Sequence, residues 1–157
     1  MNTTDQKASE LSEILQLVSF KIGNEEFGVD ILKVQEIIKM IQITKVPNSP
    51  SFVEGVINLR GRVIPVIDLR TKLGMNKIEI DKNSRIVVVE IDGKTIGFIV
   101  DAVSEVLRIP RNITEPPPPM VAGIDAEYIT AIGKLDDRLL ILLDLEKILS
   151  LDEKSVL

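Results

Sequence analysis

The chain has 157 residues, of which 45% are hydrophobic, and a formal net charge of −5. This length accommodates one domain, or two very small ones, around a hydrophobic core. The absence of cysteine and histidine removes disulfides, thiolate nucleophiles, phospho-accepting imidazoles and the commonest metal ligands. An acidic chain with one tyrosine and no tryptophan is not typical of nucleic-acid binding, so we expect a protein partner and no cofactor.

The two ends of the chain are polar. No run of about 20 apolar residues is present, and the N-terminus has neither the basic start nor the apolar stretch of a signal peptide. The sequence therefore predicts a cytoplasmic protein without direct membrane insertion. Residues 1–14 are predicted to be a flexible or helical leader, with Leu11, Ile14, Leu15 and Val18 loosely on one side, and residues 151–157 a tail.

A β-hairpin is predicted near the N-terminus and again in the middle of the chain. The first has strands at 17–22 and 25–29, which are joined by a Gly-Asn turn. The second has strands at 86–91 and 94–100, which are joined by an Asp-Gly turn, the stronger hairpin signal. The two hairpins align without gaps, so that Gly28 matches Gly97, and they are predicted to be copies of one unit.

A second unit is also repeated. It consists of a polar turn at 58–61, an apolar strand at 63–67, and a short helix that Asp68 caps and Gly74 ends. The same unit returns near the C-terminus, again without gaps, where Asp144 takes the place of Asp68. We therefore interpret the chain as a tandem duplication with copies at about 17–74 and 86–149.

The repeats predict an all-β fold, mainly strands with short helices. Short strands with frequent turns are typical of small barrels, whose closure removes exposed strand edges. Barrels of about 65 residues are marginal alone, so we expect two pseudo-symmetric, interleaved barrels around a shared hydrophobic seam. The second copy carries a short insertion between Arg108 and Asp137, where four consecutive prolines lie at 116–119.

Two segments have more than one interpretation. In residues 29–40 the apolar positions fit a helix and a strand equally, and they indicate either core packing or an apolar groove for a partner helix. Glu36 would then lie at the rim of this groove. Arg60, in the polar turn, is expected to bind loop carbonyls or a nearby carboxylate, to contact a partner directly, or to do both.

The aspartate pairs also have more than one interpretation. The pairs Asp68 with Asp144 and Asp30 with Asp101 could act in acid–base catalysis, but helix capping explains the first pair without it. No glycine-rich phosphate loop is present, so we expect no enzyme.

The proline run favours polyproline II. It is either a ligand for a proline-binding domain or a rigid loop that presents Met120. In the second case Met120 would dock to a partner or cover the barrel seam.

Four stretches of the sequence resemble the CheW family of bacterial chemotaxis coupling proteins. They are IGNEEFGVDILKVQEIIK, VPNSPSFVEGVINLRGRVIPVIDLR, GFIVDAVSEVLRI and AEYITAIGKLDDRLLILLDLEKIL. The likeness covers about residues 15–150, and its NLRG turn followed by PVIDL is specific to CheW-type domains. It implies a single CheW-like domain of two five-stranded, SH3-like barrels. It also implies a non-catalytic adaptor that joins the cytoplasmic tips of chemoreceptors to the histidine kinase CheA in arrays at the inner face of the membrane.

The resemblance also implies two sets of binding residues. Those expected to contact the receptor tip are Val18, Ile31, Val34, Glu36, Ile37, Arg60, Val100 and Val103. Those expected to contact the C-terminal regulatory domain of the kinase, which has the same fold, are Ile41, Ile43, Val46, Glu115 and Met120. The proline run departs from the family pattern, in which this loop is more varied. The alternatives are a regulatory module of another two-component system, a carboxylate-based enzyme and, more remotely, a small-molecule binding module.

Overall fold

The computed structural model describes residues 13–149, which form mostly β-strands with a few short helical segments. The predicted all-β fold is confirmed. Three 3₁₀ turns lie at Ile31–Lys33, Arg111–Ile113 and Ala126–Tyr128. The strands are β1 (Ile14–Ile22), β2 (Glu25–Asp30), β3 (Val34–Lys39), β4 (Val53–Leu59), β5 (Arg62–Asp68), β6 (Arg85–Ile91), β7 (Lys94–Val100), β8 (Ala102–Pro110), β9 (Thr114–Glu115), β10 (Met120–Val121), β11 (Ile124–Asp125), β12 (Ile129–Lys134) and β13 (Leu139–Leu143), and the helices are α1 (Leu69–Lys72) and α2 (Leu145–Ile148).

The first strand begins earlier than the sequence predicted. Ile14 and Leu15 pair with Pro110 and Ile109 of β8, so these residues, with Val18, belong to a strand and not to a leader helix. The helical prediction for this part was wrong, because cross-strand pairing outweighs a loose helical pattern. The remaining leader, residues 1–12, and the predicted tail lie outside the described residues.

Both predicted hairpins are present, with the turns that their sequences favour. In the first, Gly23 has a φ of 63°, which only glycine adopts easily at the first position of a type II′ turn. In the second, Asp92 and Gly93 have φ of 52° and 77°, the pattern of a type I′ turn. These turns match the right-handed twist of the strands and set the pairing register of each hairpin.

The two copies interleave by exchanging their hairpins. The first sheet has the order β8-β1-β2-β13-β12-β9, and the second has the order β3-β6-β7-β5-β4. Each sheet thus combines the hairpin of one copy with the remaining strands of the other. The joining contacts are parallel, with Gly28 of β2 beside Leu142 and Gly97 of β7 beside Val66. These two contacts are equivalent in the alignment of the two copies that the sequence shows.

Each sheet brings its two edges together. In the first sheet the edge strands β8 and β9 are joined by only the short turn Arg111–Ile113. In the second sheet, Thr44, which follows the edge strand β3, forms a bridge with Val56 of the opposite edge strand β4. The Thr44 and Val56 amides donate to each other's carbonyls at 2.9 and 2.8 Å. The edge strands of each sheet are therefore kept near each other, by a short turn in the first sheet and by a bridge in the second.

The hydrophobic core has three parts. One small cluster lies inside the first sheet around Leu17 and Leu140, and another lies inside the second around Ile86 and Ile64. The largest cluster lies between the sheets and includes Phe20, whose ring centroid is 5.6 Å from that of Phe98. The predicted shared seam is confirmed. Alternate residues of a strand face opposite sides of the sheet. In the exchanged hairpins both sets of residues are buried, one inside the sheet and the other in the seam.

The two glycines at the parallel contacts should differ in their tolerance of a side chain. A Cβ at Gly97 would lie 2.8 Å from Cγ2 of the fully buried Ile86, whereas one at Gly28 would lie 3.3 Å from the end of Leu140. We expect Gly97→Ala to lower the free energy of unfolding by about 1–3 kcal/mol through overpacking. Gly28→Ala should change it by less than about 1 kcal/mol, because the Cβ would stay 3.3 Å from its nearest neighbour and only a small shift is needed. Urea denaturation measures both, and equal losses would contradict this explanation.

Candidate partner-binding surfaces

Glu36 and Arg60 come together at the surface of the second sheet. The turn between β4 and β5 holds Arg60 with a φ of 53°, and the Gly61 amide donates to Oδ1 of Asn58 at 2.9 Å. This conformation directs the Arg60 guanidinium to Glu36 on β3, with which it forms an ion pair. Since Arg60 is largely exposed, the pair contributes little to stability, about 1 kcal/mol at most. Its effect is to set the position of both side chains.

Some of the residues expected at the receptor groove are buried beneath it, and others are exposed at its surface. Val18 and Val100 are only 3% and 1% exposed and lie in the seam, so they can shape a groove from below but offer no surface. Ile31, Val34 and Val103 are half-buried and pack against the same seam. The exposed residue is Ile37, together with the rim pair of Glu36 and Arg60.

The sequence analysis did not include Val106 among the binding residues. This residue is 58% exposed on β8, where it pairs with Val18 of β1. It lies at the position of Ile37 in the second copy, and its neighbour Glu105 lies at that of Glu36. Arg138 donates to Oε1 of Glu105 at 3.1 Å, so this acid is paired as Glu36 is. The gapless alignment of the two copies is the signal that makes Val106 a further candidate.

The residues expected at the kinase contact lie on different sheets. Ile41 is exposed and Ile43 and Val46 are half-buried, beside the bridge that closes the second sheet. Glu115 lies on β9 of the first sheet, where Lys134 Nζ donates to its Oε1 at 2.7 Å. Met120 follows the proline run at the start of the β10–β11 hairpin and is 61% exposed.

The sequence left open whether Met120 is presented for docking or covers the barrel seam, and the β10–β11 hairpin shows which residues do each. Met120 extends to solvent, while its neighbour Val121 packs against the seam and Ile124 is fully buried. The turn between them, Ala122 and Gly123, has positive φ at both residues, as a type I′ turn requires. The rigid proline run thus leads into an anchored hairpin that presents a methionine. Methionine side chains adapt readily to a partner surface.

The four aspartates considered for catalysis have structural roles. Asp68 accepts from the Arg70 amide at 3.1 Å and Asp144 from the Lys147 amide at 3.2 Å, so both cap helices as predicted. Asp30 accepts from the Leu32 amide at 2.9 Å and caps a 3₁₀ turn. Among the described residues, no group of three or more acidic side chains could hold a metal ion.

The remaining aspartate, Asp101, ties the two sheets together. Arg70 of α1 donates to both of its carboxylate oxygens, from Nε at 3.1 Å and Nη2 at 2.6 Å. The amide of Gly23, in the turn of the first hairpin, donates to Oδ2 at 2.7 Å. Burial by itself raises the pKa of Asp101, but the hydrogen bonds from Arg70 and Gly23, with the Arg70 charge, lower it overall.

The fold and these surfaces define a class of protein. A double β-unit presents exposed apolar side chains at separate places, and the four aspartates considered for catalysis are occupied in capping and in an ion pair. This arrangement is that of a protein-interaction scaffold. Within residues 13–149, no helix has the length and apolar character needed to span a bilayer.

Comparison with known proteins identifies the family. The model of the CheW-like domain matches residues 16–153. The chemotaxis protein CheW of Klebsiella aerogenes is 41% identical over 141 residues, which cover 90% of this chain and 85% of that protein. CheW of Helicobacter pylori is 40% identical over 147 residues, covering 93% and 88%. The crystal structure of the scaffolding protein TtCheW from Thermoanaerobacter tengcongensis, 43% identical, superposes with a TM-score of 0.84 over 92% of this chain and 99% of that one.

The chain therefore belongs to the CheW-like family and is a non-catalytic chemotaxis scaffold. The fold and the adaptor class that the sequence resemblance implied are confirmed.

Loss of the Asp101 charge should destabilise the protein in a pH-dependent way. We expect Asp101→Asn to lower the free energy of unfolding at pH 7 by about 1–3 kcal/mol, because charge-assisted hydrogen bonds are lost. The folded-state pKa is lowered, so this contribution is complete above the pKa of the unfolded chain, about 3.9. It disappears as the pH falls through the lower pKa of the folded state.

Urea denaturation of the wild type and the variant between pH 2 and 7 measures this difference. Asp136→Asn, in the exposed turn between β12 and β13, is the matched control and should cost little at any pH. A loss for Asp101→Asn that stays constant down to pH 2 would show that its charge is not the cause.

Proposed function

We propose that this protein couples the cytoplasmic tips of chemoreceptors to the histidine kinase CheA and so allows receptors to control kinase activity. The supporting observation is the placement of exposed apolar side chains in separate regions of one rigid unit. Ile37 and Val106 lie on β3 and β8, whereas Ile41 lies in the loop after β3 and Met120 lies in the separate β10–β11 hairpin. An adaptor needs such separation, because it must hold two partners at once.

The receptor contact is proposed at β3 and β8. A helix of the receptor tip would place its apolar side chains against Ile37 and Val106, over the half-buried residues of the seam. The ion pair of Glu36 and Arg60 would fix the rim and offer polar groups to the visitor. The proposed set is Val18, Ile31, Val34, Glu36, Ile37, Arg60, Val100 and Val103, with Val106 added, and Val18 and Val100 acting through the shape of the floor.

The kinase contacts are proposed at two separate places, one in the loop between β3 and β4 and one around β9 and the β10–β11 hairpin. One is formed by Ile41, Ile43 and Val46, and the other by Glu115 and Met120. The kinase regulatory domain is expected to have the same fold, so its two halves could meet different faces of the adaptor. Contacts of this heterologous kind close into rings or extend into arrays. If each buries less than about 1,200 Å² it is weak alone, and the assembly depends on multivalency.

The proposal places the protein in the cytoplasm, recruited to receptor arrays at the inner face of the membrane. The receptor would change kinase activity by shifting how the two partners sit against the adaptor. Such a shift requires contact energies that differ between the two signalling states. Nucleic acid has no part in this scheme.

The receptor contact can be tested with Ile37→Ser and Val106→Ser. Each change removes an exposed apolar side chain and should weaken binding of a receptor-tip fragment about tenfold, with little effect on folding. Calorimetric titration provides the affinities, and Ile80→Ser, an exposed isoleucine after α1, is the matched control. Unchanged affinity in both variants would place the receptor elsewhere.

The kinase contact can be tested by titrating the chain against the isolated regulatory domain of its CheA-type kinase. We expect saturable binding near 1:1, about tenfold weaker in Met120→Ser, because the exposed methionine is proposed to pack against the partner. Arg60→Ala should retain kinase binding and lose receptor binding. If no binding occurs at about 100 μM of either protein, the kinase half of the proposal is wrong.

A further inference from the structure

Strands β3 and β8, at which the receptor contact is proposed, are near copies of each other. Residues 34–39 read VQEIIK and residues 103–108 read VSEVLR, so every position keeps its apolar, polar, acidic or basic character. Strand β3 pairs antiparallel with β6, and β8 pairs in the same way with β1, the equivalent strand of the other hairpin. The exchange of hairpins is reciprocal, so a pseudo-twofold axis relates the two strands.

This symmetry leaves the direction of a bound helix undecided by the apolar contacts. A helix that lies between β3 and β8 meets the same kinds of side chain when it is turned end for end. The exposed residues Ile37 and Val106 differ by a single methylene group, which discriminates weakly. A single direction therefore requires a difference between the two copies beside these strands.

The turns beside the two strands provide such a difference. The turn before β5 reads Leu-Arg-Gly-Arg, and the equivalent turn before β13 reads Leu-Asp-Asp-Arg. Each turn sends an arginine to the acid of its neighbouring strand, since Arg60 pairs with Glu36 and Arg138 pairs with Glu105. Both turns therefore border the proposed helix site.

The first turn carries an excess of positive charge. Arg60 is balanced by Glu36. Its second arginine, Arg62, donates from Nη2 to the Thr95 hydroxyl at 2.9 Å, a contact that leaves the charge of the guanidinium unbalanced. We call these four residues the basic rim. Within residues 13–149, this rim thus has two arginines and one acid.

The second turn carries an excess of negative charge. Arg138 donates to Glu26 at 2.6 Å, to Asp137 at 2.9 Å and to Glu105 at 3.1 Å. Asp136, in the same turn, is exposed. We call these five residues the acidic rim, which in the described part of the chain has four acids and one arginine. Each of its additional acids stands where the basic rim has a neutral or basic residue.

A bound helix responds to this difference because its ends carry opposite partial charges, about +0.5 at the N-terminus and about −0.5 at the C-terminus. The axis exchanges the two rims, so turning the helix end for end exchanges the rim that each end faces. Lys134, which precedes the acidic turn, is paired with Glu115 and does not reverse the sign of that rim. Arg62 and Asp136 are exposed, so salt screens the effect and limits it to about tenfold.

We propose that the difference between the two rims selects one direction of the receptor helix. The N-terminal end of the helix lies at the acidic rim around Asp136, and its C-terminal end lies at the basic rim around Arg62. The partner that fits is a helix whose acidic residues are concentrated towards its C-terminal end. This inference rests on the receptor contact proposed above and adds the groups that choose between its two otherwise equivalent arrangements.

A spin-labelled receptor-tip fragment tests the direction. One version carries a nitroxide near the N-terminal end of a tip helix, and the other carries it near the C-terminal end of the same helix. Each is added to the ¹⁵N-labelled full chain, and NMR measures the broadening of the Val63 and Leu139 amides, which are equivalent residues beside the basic and acidic rims. We expect the N-terminal label to broaden Leu139 at least about threefold more than Val63, and the C-terminal label to do the reverse.

A variant with two identical turns is the decisive comparison. Asp136→Arg together with Asp137→Gly makes the second turn read Leu-Arg-Gly-Arg, and each label should then broaden Val63 and Leu139 equally. Asp136→Arg alone, which keeps the bond from Arg138 to Asp137, should move both signals in the same direction. Glu79→Arg, the same charge change at an exposed position between α1 and β6, is the matched control and should retain the wild-type preference. Urea denaturation checks that each variant is folded.

Three results would overturn the proposal. They are equal broadening by each label in the wild type, a preference for the opposite direction, and a preference that is unchanged in both Asp136 variants. A different result identifies failure of the receptor contact itself. If neither label broadens Val63 or Leu139, and Ile37→Ser and Val106→Ser leave the affinity for the fragment unchanged, the receptor binds elsewhere and the selection of direction falls with it.

Discussion

The rest of the structure depends on two equivalent parallel contacts. One joins β2 to β13, and the other joins β7 to β5. Each contact places a glycine, Gly28 or Gly97, where neighbouring side chains leave little room for a Cβ. Through these contacts each hairpin completes the sheet of the other copy. Neither copy contains all the strands of one sheet, so the two must fold together as one cooperative unit.

The exchange also explains how a small protein carries several rigid surfaces. Both faces of the exchanged hairpins are buried, one inside its sheet and one in the seam. Strands β3 and β8 border the seam, and Ile37 and Val106, which pair with the seam residues Val87 and Val18, remain exposed there. The copies differ in detail, since Arg70 binds Asp101 in one and Glu146 binds Lys33 in the other. Such differences allow related surfaces to select different partners.

Local features of the fold were well predicted, because they depend on neighbours in the sequence. The Asp-Gly and Gly-Asn turns, the caps Asp68 and Asp144, and the alternation of the hairpin strands all require only a few adjacent residues. The start of β1 was not well predicted, because Ile14 and Leu15 are held by β8, which is distant in the sequence. Burial of Val18 and Val100 likewise depends on the opposite sheet, and so does the exposure of Val106, which its repeat position alone does not reveal.

The sequence by itself determined that the protein is all-β, duplicated and without cysteine or histidine, which follows from composition, from turn and cap residues, and from repeats at constant spacing. Its similarity to CheW-type adaptors rests separately on the resemblance of particular stretches, such as the NLRG turn followed by PVIDL. Only the tertiary structure decided that the hairpins are exchanged and that Glu36 meets Arg60. Those features depend on which strands lie side by side across the seam, and strand pairing over long separations leaves no signal in a local pattern.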